Sequence, residues 1–178
     1  MNLGQTMITA GMLVLLIMSV VSANRVLLEN TEATLGAEAC FESGTIANDL
    51  LQEAMSKKFD EKADLTGLQD TTAFSVSDGG GWAPGKGEHI TLPDISDVGN
   101  FNSIAKYDDF DDYDGYSRLV TAKNVDSLFS ATVTVNYVFA AEPTVSTHTR
   151  TYYKVIEISI THPLYLKTPV KVTGMMSY

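Results

Sequence analysis

The residues best equipped for chemistry lie in one short run, Tyr107 to Tyr116, which reads Y-D-D-F-D-D-Y-D-G-Y. Asp108, Asp109, Asp111, Asp112 and Asp114 supply the hard carboxylate oxygens that calcium prefers. They form a candidate metal site. The D-x-D-x-D-G register of a calcium loop fails, however, because Phe110 stands where it would begin. A solvated acidic turn with its aromatics against the domain explains the same residues and is the preferred reading.

Other reactive side chains are sparse. Cys40 is the one cysteine, so it forms no intrachain disulfide and cannot make a zinc site without other strong ligands. It is expected as a small buried residue on a helix face. His89, His148 and His162 are scattered without metal-ligand spacing. The chain has no G-x-S-x-G, no HExxH and no placed Cys–His pair, so it is expected not to be an enzyme. Asp78 to Gly87, D-G-G-G-W-A-P-G-K-G, is a loop by composition and lacks phosphate-loop spacing. Trp82 within it is expected to pin the loop to the domain, with a binding contact as the alternative. Calcium is the one cofactor to consider.

Charge narrows the partners. A formal net charge of -10 and a sequence pI near 4.6 argue against nucleic acid, whose phosphates need clustered Lys and Arg. They argue equally against a polybasic grip on anionic lipid. At 178 residues and 44% apolar content, the chain suits one cored domain plus an appendage.

That appendage is at the N-terminus. Residues 1–23 carry no charge, and Met7, Ile8, Thr9, Ala10, Gly11, Met12, Leu13, Val14, Leu15, Leu16, Ile17, Met18, Val20 and Val21 make up an apolar helix. Residues 7–23 as a helix would span roughly 25 Å, at the short edge for crossing a bilayer. A cleaved secretory signal, a plain anchor and an anchor that later enters a filament core are all open on these residues. Val21-Ser22-Ala23 resembles a signal cleavage site, but the first six residues lack Lys and Arg.

Beyond Ala23 the pattern stays helical to about Lys58, with no proline and an apolar stripe of Leu28, Leu35, Ala39, Ile46, Leu50 and Ala54. Residues 1–23 and 24–58 thus read as two halves of one long helix, and 59–178 as a globular domain. In that domain Phe129 to Phe139 alternates as a half-buried strand, and Tyr152 to Thr161 sets Ile156, Ile158 and Ile160 on one face. Glu142 to Thr149, with Pro143, reads as a connection. A last strand follows Pro169, and Arg118 to Thr121 forms a short one. The expected fold is α+β: an antiparallel C-terminal sheet covered by the polar half of the helix.

Helix first and antiparallel sheet last, this chain resembles type IV pilins and type II secretion pseudopilins, especially minor pilins of the mannose-sensitive haemagglutinin kind. The apolar N-terminal helix, Ala47-Asn48-Asp49-Leu50-Leu51-Gln52-Glu53-Ala54, and the aspartate-rich Asp108 to Tyr113 segment before the strands carry the resemblance. It implies a leader ending at Gly4, with Gln5 opening the mature chain. It implies a subunit held in the inner membrane and then assembled with its own copies, or with related subunits, into an extracellular filament. The family's glutamate at the fifth mature position falls on Thr9, which offers a hydroxyl but no charge. A single-span anchored extracytoplasmic protein that binds a ligand or calcium is the competing expectation.

Overall fold

A computed structural model of the chain describes residues 3–62, 70–76, 82, 87–96, 100–122 and 125–178, with the side chains of 122 and 125–127 left out of the description. Contacts divide the chain into two compact units, Met1–Glu38 and Ala39–Tyr178.

Helix α1 is Leu3–Met55. Helix formers dominate it and no proline interrupts it, which is why the backbone ladder persists through the change from apolar to charged residues. It ends at Met55, just short of the expected Lys58, where Ser56 N–H bonds back to the Gln52 and Glu53 carbonyls and Lys57 N–H to that of Ala54. The expected stripe is buried only from Ala39 onward: Ala39, Ser43, Ile46, Ala47, Leu50 and Ala54 face the core, while Leu28 is exposed. Cys40 is exposed, contrary to expectation. The residue after Ala39 lies about 100° around the helix from it, which carries the thiol off the buried stripe.

Among the described residues the sheet has six strands, β1 Asp94–Ile95, β2 Ser117–Ala122, β3 Val125–Phe139, β4 Glu142–Thr147, β5 Tyr153–Thr161 and β6 Val170–Ser177. Their order is β1-β2-β3-β5-β6, with β4 also paired to β3. Every pairing is antiparallel except β1 with β2, which is parallel. The expected α+β arrangement is therefore present. Val133, Val135, Ile156, Ile158 and Ile160 share one core with the α1 stripe. Helix and sheet meet closely at β6. A Cβ on Gly174 would lie 2.5 Å from Leu51 Cδ1 and 3.4 Å from Ile156 Cγ2.

Two features of the sheet differ from the sequence reading. Residues 142–147 form strand β4, not a connection, pairing Tyr137 with Thr147, Val138 with Ser146 and Phe139 with Glu142. The register shifts between Val138 and Phe139, so the pairing steps over Pro143, which cannot donate to a ladder. The two-residue β1 gave no periodic signal at all. His162 follows the last residue of β5, and its Nδ1 accepts the N–H groups of Leu164 (3.3 Å) and Tyr165 (3.1 Å). Burial holds that imidazole below its ordinary pKa, in keeping with a neutral acceptor ring.

Candidate functional site

Two places could carry function: the apolar part of α1 and the acidic turn. In the first, Met7, Ile8, Met12 to Met18, Val20 and Val21 are between 50% and 71% exposed. The helix is long and apolar enough there to cross a membrane, and none of its most apolar stretch is buried within the chain. An all-round apolar helix is stable only in lipid or among other helices. Thr9 Oγ1 donates within its own helix, 3.0 Å from the carbonyls of Gln5 and Thr6. Nothing lies within 4 Å of where a Cβ on Gly4 or Gly11 would sit.

The acidic turn is positioned by the chain that leaves α1. Lys58 N–H donates to the Asp108 carbonyl (3.2 Å), and Phe110 N–H to that of Lys58 (2.9 Å). Lys57 Nζ caps the carbonyls of Ile104 (2.9 Å) and Tyr107 (2.7 Å). The turn's aromatics face inward, as expected: Tyr107, Phe110, Tyr113 and Tyr116 are all buried, and the three tyrosine rings stack edge to face at 5.0–5.8 Å. Three of its five aspartates are not solvated, however. Asp109, Asp111 and Asp112 are buried, the last two within a 3-10 turn at Asp111–Tyr113.

The five aspartates separate by partner. Asp111 Oδ1 accepts Lys154 Nζ at 2.6 Å. Asp114 Oδ1 accepts the Val135 N–H at 2.8 Å. Asp112 Oδ2 accepts the N–H groups of Asp108 and Asp109, and Asp109 Oδ1 accepts that of Asp112. Asp108 sits on the surface, paired with Lys58 at 3.2 Å. Of the candidate metal ligands, only Asp108 and Asp112 converge, and they do so with Glu88, their oxygens lying within 4.8 Å of one another.

Sequence reasoning missed the cations that answer these acids. Lys154 is fully buried. It binds Asp60 Oδ2 (3.0 Å), Asp111 Oδ1 (2.6 Å) and the Phe59 carbonyl (2.8 Å). Its ammonium also lies 4.5 Å from the Phe59 ring centre, 4.6 Å from that of Trp82 and 5.3 Å from that of Tyr137. Trp82 closes this box: its Nε1 donates to the Val135 carbonyl at 3.1 Å, and its ring meets Tyr137 at 4.8 Å. The tryptophan thus anchors to the domain as expected; of residues 78–87, only Trp82 and Gly87 are among those described. A second buried pair joins Arg118 Nη1 to Glu53 Oε2 at 2.8 Å. Asp94 organises a third site. Its Oδ2 accepts from Tyr116 Oη (3.0 Å) and Asn102 N–H (2.8 Å), and its Oδ1 from Asn102 Nδ2 (2.8 Å).

Electrostatics divides the carboxyls. Burial raises the pKa of Asp60, but Lys154 and the N–H groups of Ser75 and Lys62 outweigh it and hold the group below the ordinary range. Burial pushes Asp111 up to about 6 despite Lys154. Burial, with Asp111 and Asp112 as like-charged neighbours, pushes Asp109 up to about 8. Asp109 therefore keeps its proton at neutral pH in the folded domain and loses it near 3.8 when unfolded. Its contribution to stability is full below the unfolded value and is lost as pH rises through about 8. Asp109→Asn keeps the acceptor for Asp112 N–H and removes this titration. Thermal melts from pH 5 to pH 8 should show wild type losing several degrees and the variant losing less. Equal slopes would count against a protonated Asp109.

A groove of about 520 Å³ lies at the β1 end of the sheet, lined by Ile95, Ser96, Asn100, Leu119, Thr121 and Leu128. Its lining offers hydroxyls and an amide.

Compared with known proteins, the chain matches no family model, no curated protein and no solved structure. What stands is a membrane-length apolar helix followed by a mostly antiparallel sheet. That arrangement is consistent with a pilin-like fold.

Proposed function

We propose that this protein is a structural subunit of an extracellular, type IV pilus-like filament, assembled through the apolar part of α1. The observation that carries the reading is the exposure of the apolar side chains from Met7 to Val21, while Ala39–Tyr178 has a core of its own. In this reading the segment waits in the inner membrane, with Met1 to Gly4 removed as a leader and Gln5 opening the mature chain. It then packs against the same segment of neighbouring copies or of related pilin-like subunits.

Leaving lipid for protein gains little hydrophobic free energy, so close packing of small residues must drive the association. Ala10 and Gly11 are the small residues at the centre of the segment. With Thr9 carrying no charge and its hydroxyl satisfied within the helix, subunit register rests on shape at these positions. Gly11→Leu meets open space within the chain, and leucine is the better helix former by about 1 kcal/mol. The variant should fold and insert normally, yet yield few or no filaments. Filaments of normal number and length, counted by electron microscopy, would contradict the reading.

A further inference from the structure

The Lys154 box has the composition of a reactive centre as well as that of an ion pair. A primary amine touches two carboxyl groups inside a shell of three aromatic rings. Lys154 and Asp60 are wholly shielded from water, and Asp111 nearly so. Fixed proximity of this kind replaces a bimolecular encounter, and reacting atoms held at van der Waals contact gain many orders of magnitude in effective concentration. Water, the competing nucleophile and the by-product of condensation, is excluded. From this geometry we propose that Lys154 and Asp111 condense into an intramolecular amide bond, with Asp60 relaying the proton.

The two carboxyls are not equivalent, and the difference assigns their roles. Asp111 is the one that holds a proton more readily, pushed up to about 6 by burial. Asp60, fixed by Ser75 and Lys62 as well as by Lys154, stays ionised. Asp60 Oδ2 takes a proton from the ammonium, leaving a neutral amine. Two neutral groups in an apolar box cost less to desolvate than two ions. The amine lone pair attacks Cγ of protonated Asp111, and the Nζ–Cγ bond forms. The tetrahedral centre then expels its hydroxyl, which takes the proton back from Asp60 and leaves as water. Asp60 accepts the second proton of the linking nitrogen and ends protonated beside a neutral amide. One Nζ–Cγ bond is made and one Cγ–O bond is broken. One water is released, and no oxidant, metal or nucleotide is consumed.

The product would tie β5 covalently to the 3-10 turn within the acidic run, closing residues 111–154 into a loop. This chemistry does not depend on filament assembly, so either proposal can fail without the other.

The test is mass spectrometry of the full chain purified in its folded form. Trypsin should fail to cut after Lys154, and tandem spectra should show a branched peptide joining Lys154 to Asp111, lighter by one water than the two peptides summed. Asp111→Ala should abolish the branch. Asp60→Asn retains an acceptor for Lys154 but cannot relay a proton, and should leave the two side chains unlinked with the near-ultraviolet dichroism of wild type. Recovery of Lys154 and Asp111 only in unlinked peptides from folded wild type would overturn the proposal, whatever the variants do. A branch to another carboxyl in Asp111→Ala, or full linkage in Asp60→Asn, would overturn the assigned roles.

Discussion

Replacing Lys154 with alanine should cost the sheet domain about 3–5 kcal/mol, the usual effect of stripping one partner from a buried charge pair. A typical domain has about 5–15 kcal/mol in total, so the variant should lose a large share of its stability at neutral pH. Asp60 and Asp111 both lose their cation, and the Phe59, Trp82 and Tyr137 rings lose the group they enclose. The loss is that of the ammonium form, whose charge answers both carboxylates. It also has a pH signature. Without Lys154, burial raises the folded pKa of both carboxyls above their unfolded values. Their penalty is then absent below the unfolded value and grows as pH rises through the folded one. The deficit against wild type, measured as a shift in urea midpoint, should be largest above pH 7 and shrink toward pH 5. A small deficit, or one that does not change with pH, would show that Lys154 is not the counter-ion of the acidic turn.

The second large effect is expected at Glu53. Its Oε1 accepts from Ser103 Oγ (2.5 Å) and Tyr113 Oη (2.8 Å), and its Oε2 from Arg118 Nη1 (2.8 Å). One side chain near the end of α1 thus holds α2 (Asn102–Lys106), the acidic turn and β2. Glu53→Ala would leave three donors without their acceptor, including a buried guanidinium stacked 4.3 Å over Phe101. Arg118 Nε already has no hydrogen-bond partner among the described residues, so little remains to compensate. A loss of about 3–5 kcal/mol is expected. Glu53→Gln, which keeps the shape but not the charge, should lose about 1–3 kcal/mol. Replacing the pair together, Glu53→Leu with Arg118→Met, should recover much of the loss, because most of it comes from the stranded charge. A double variant as unstable as Glu53→Ala would show that the site's other contacts, not its charge balance, hold the helix end.

The parts of the fold written in periodicity were legible. The β3 and β5 alternations, the uninterrupted run of α1 and the inward aromatics of Tyr107 to Tyr116 all follow from spacing and side-chain type. What spacing could not reveal was partnership. Lys154 stands on the same face of β5 as Ile156, Ile158 and Ile160, and Arg118 on the same buried face of β2 as Val120. A cation at an inward position of a strand was the available sign that buried acids must lie opposite. Those acids, Asp60 and Asp111, come from elements far away in sequence, so no local window contains the pair. The acidic turn seemed solvated for the same reason: five aspartates together look like surface until the buried lysine is placed. Strand β4 stayed hidden behind Pro143, and β1 was too short for any period. Cys40 was misplaced because its burial was expected from residue type alone, whereas the helix carries it about 100° from Ala39 and off the buried stripe.

In the apolar segment the sequence and the structure agree on length and exposure, and what covers it is the claim still to be tested. The most direct measurement is electron microscopy of material sheared from cells producing this protein, with the N-terminus of the recovered subunit sequenced. The predicted result is thin filaments whose subunit begins near Gln5 and keeps Met7 to Val21. A mature chain beginning at Asn24, or a subunit that keeps the segment but is found only as a detergent-soluble monomer, would contradict it.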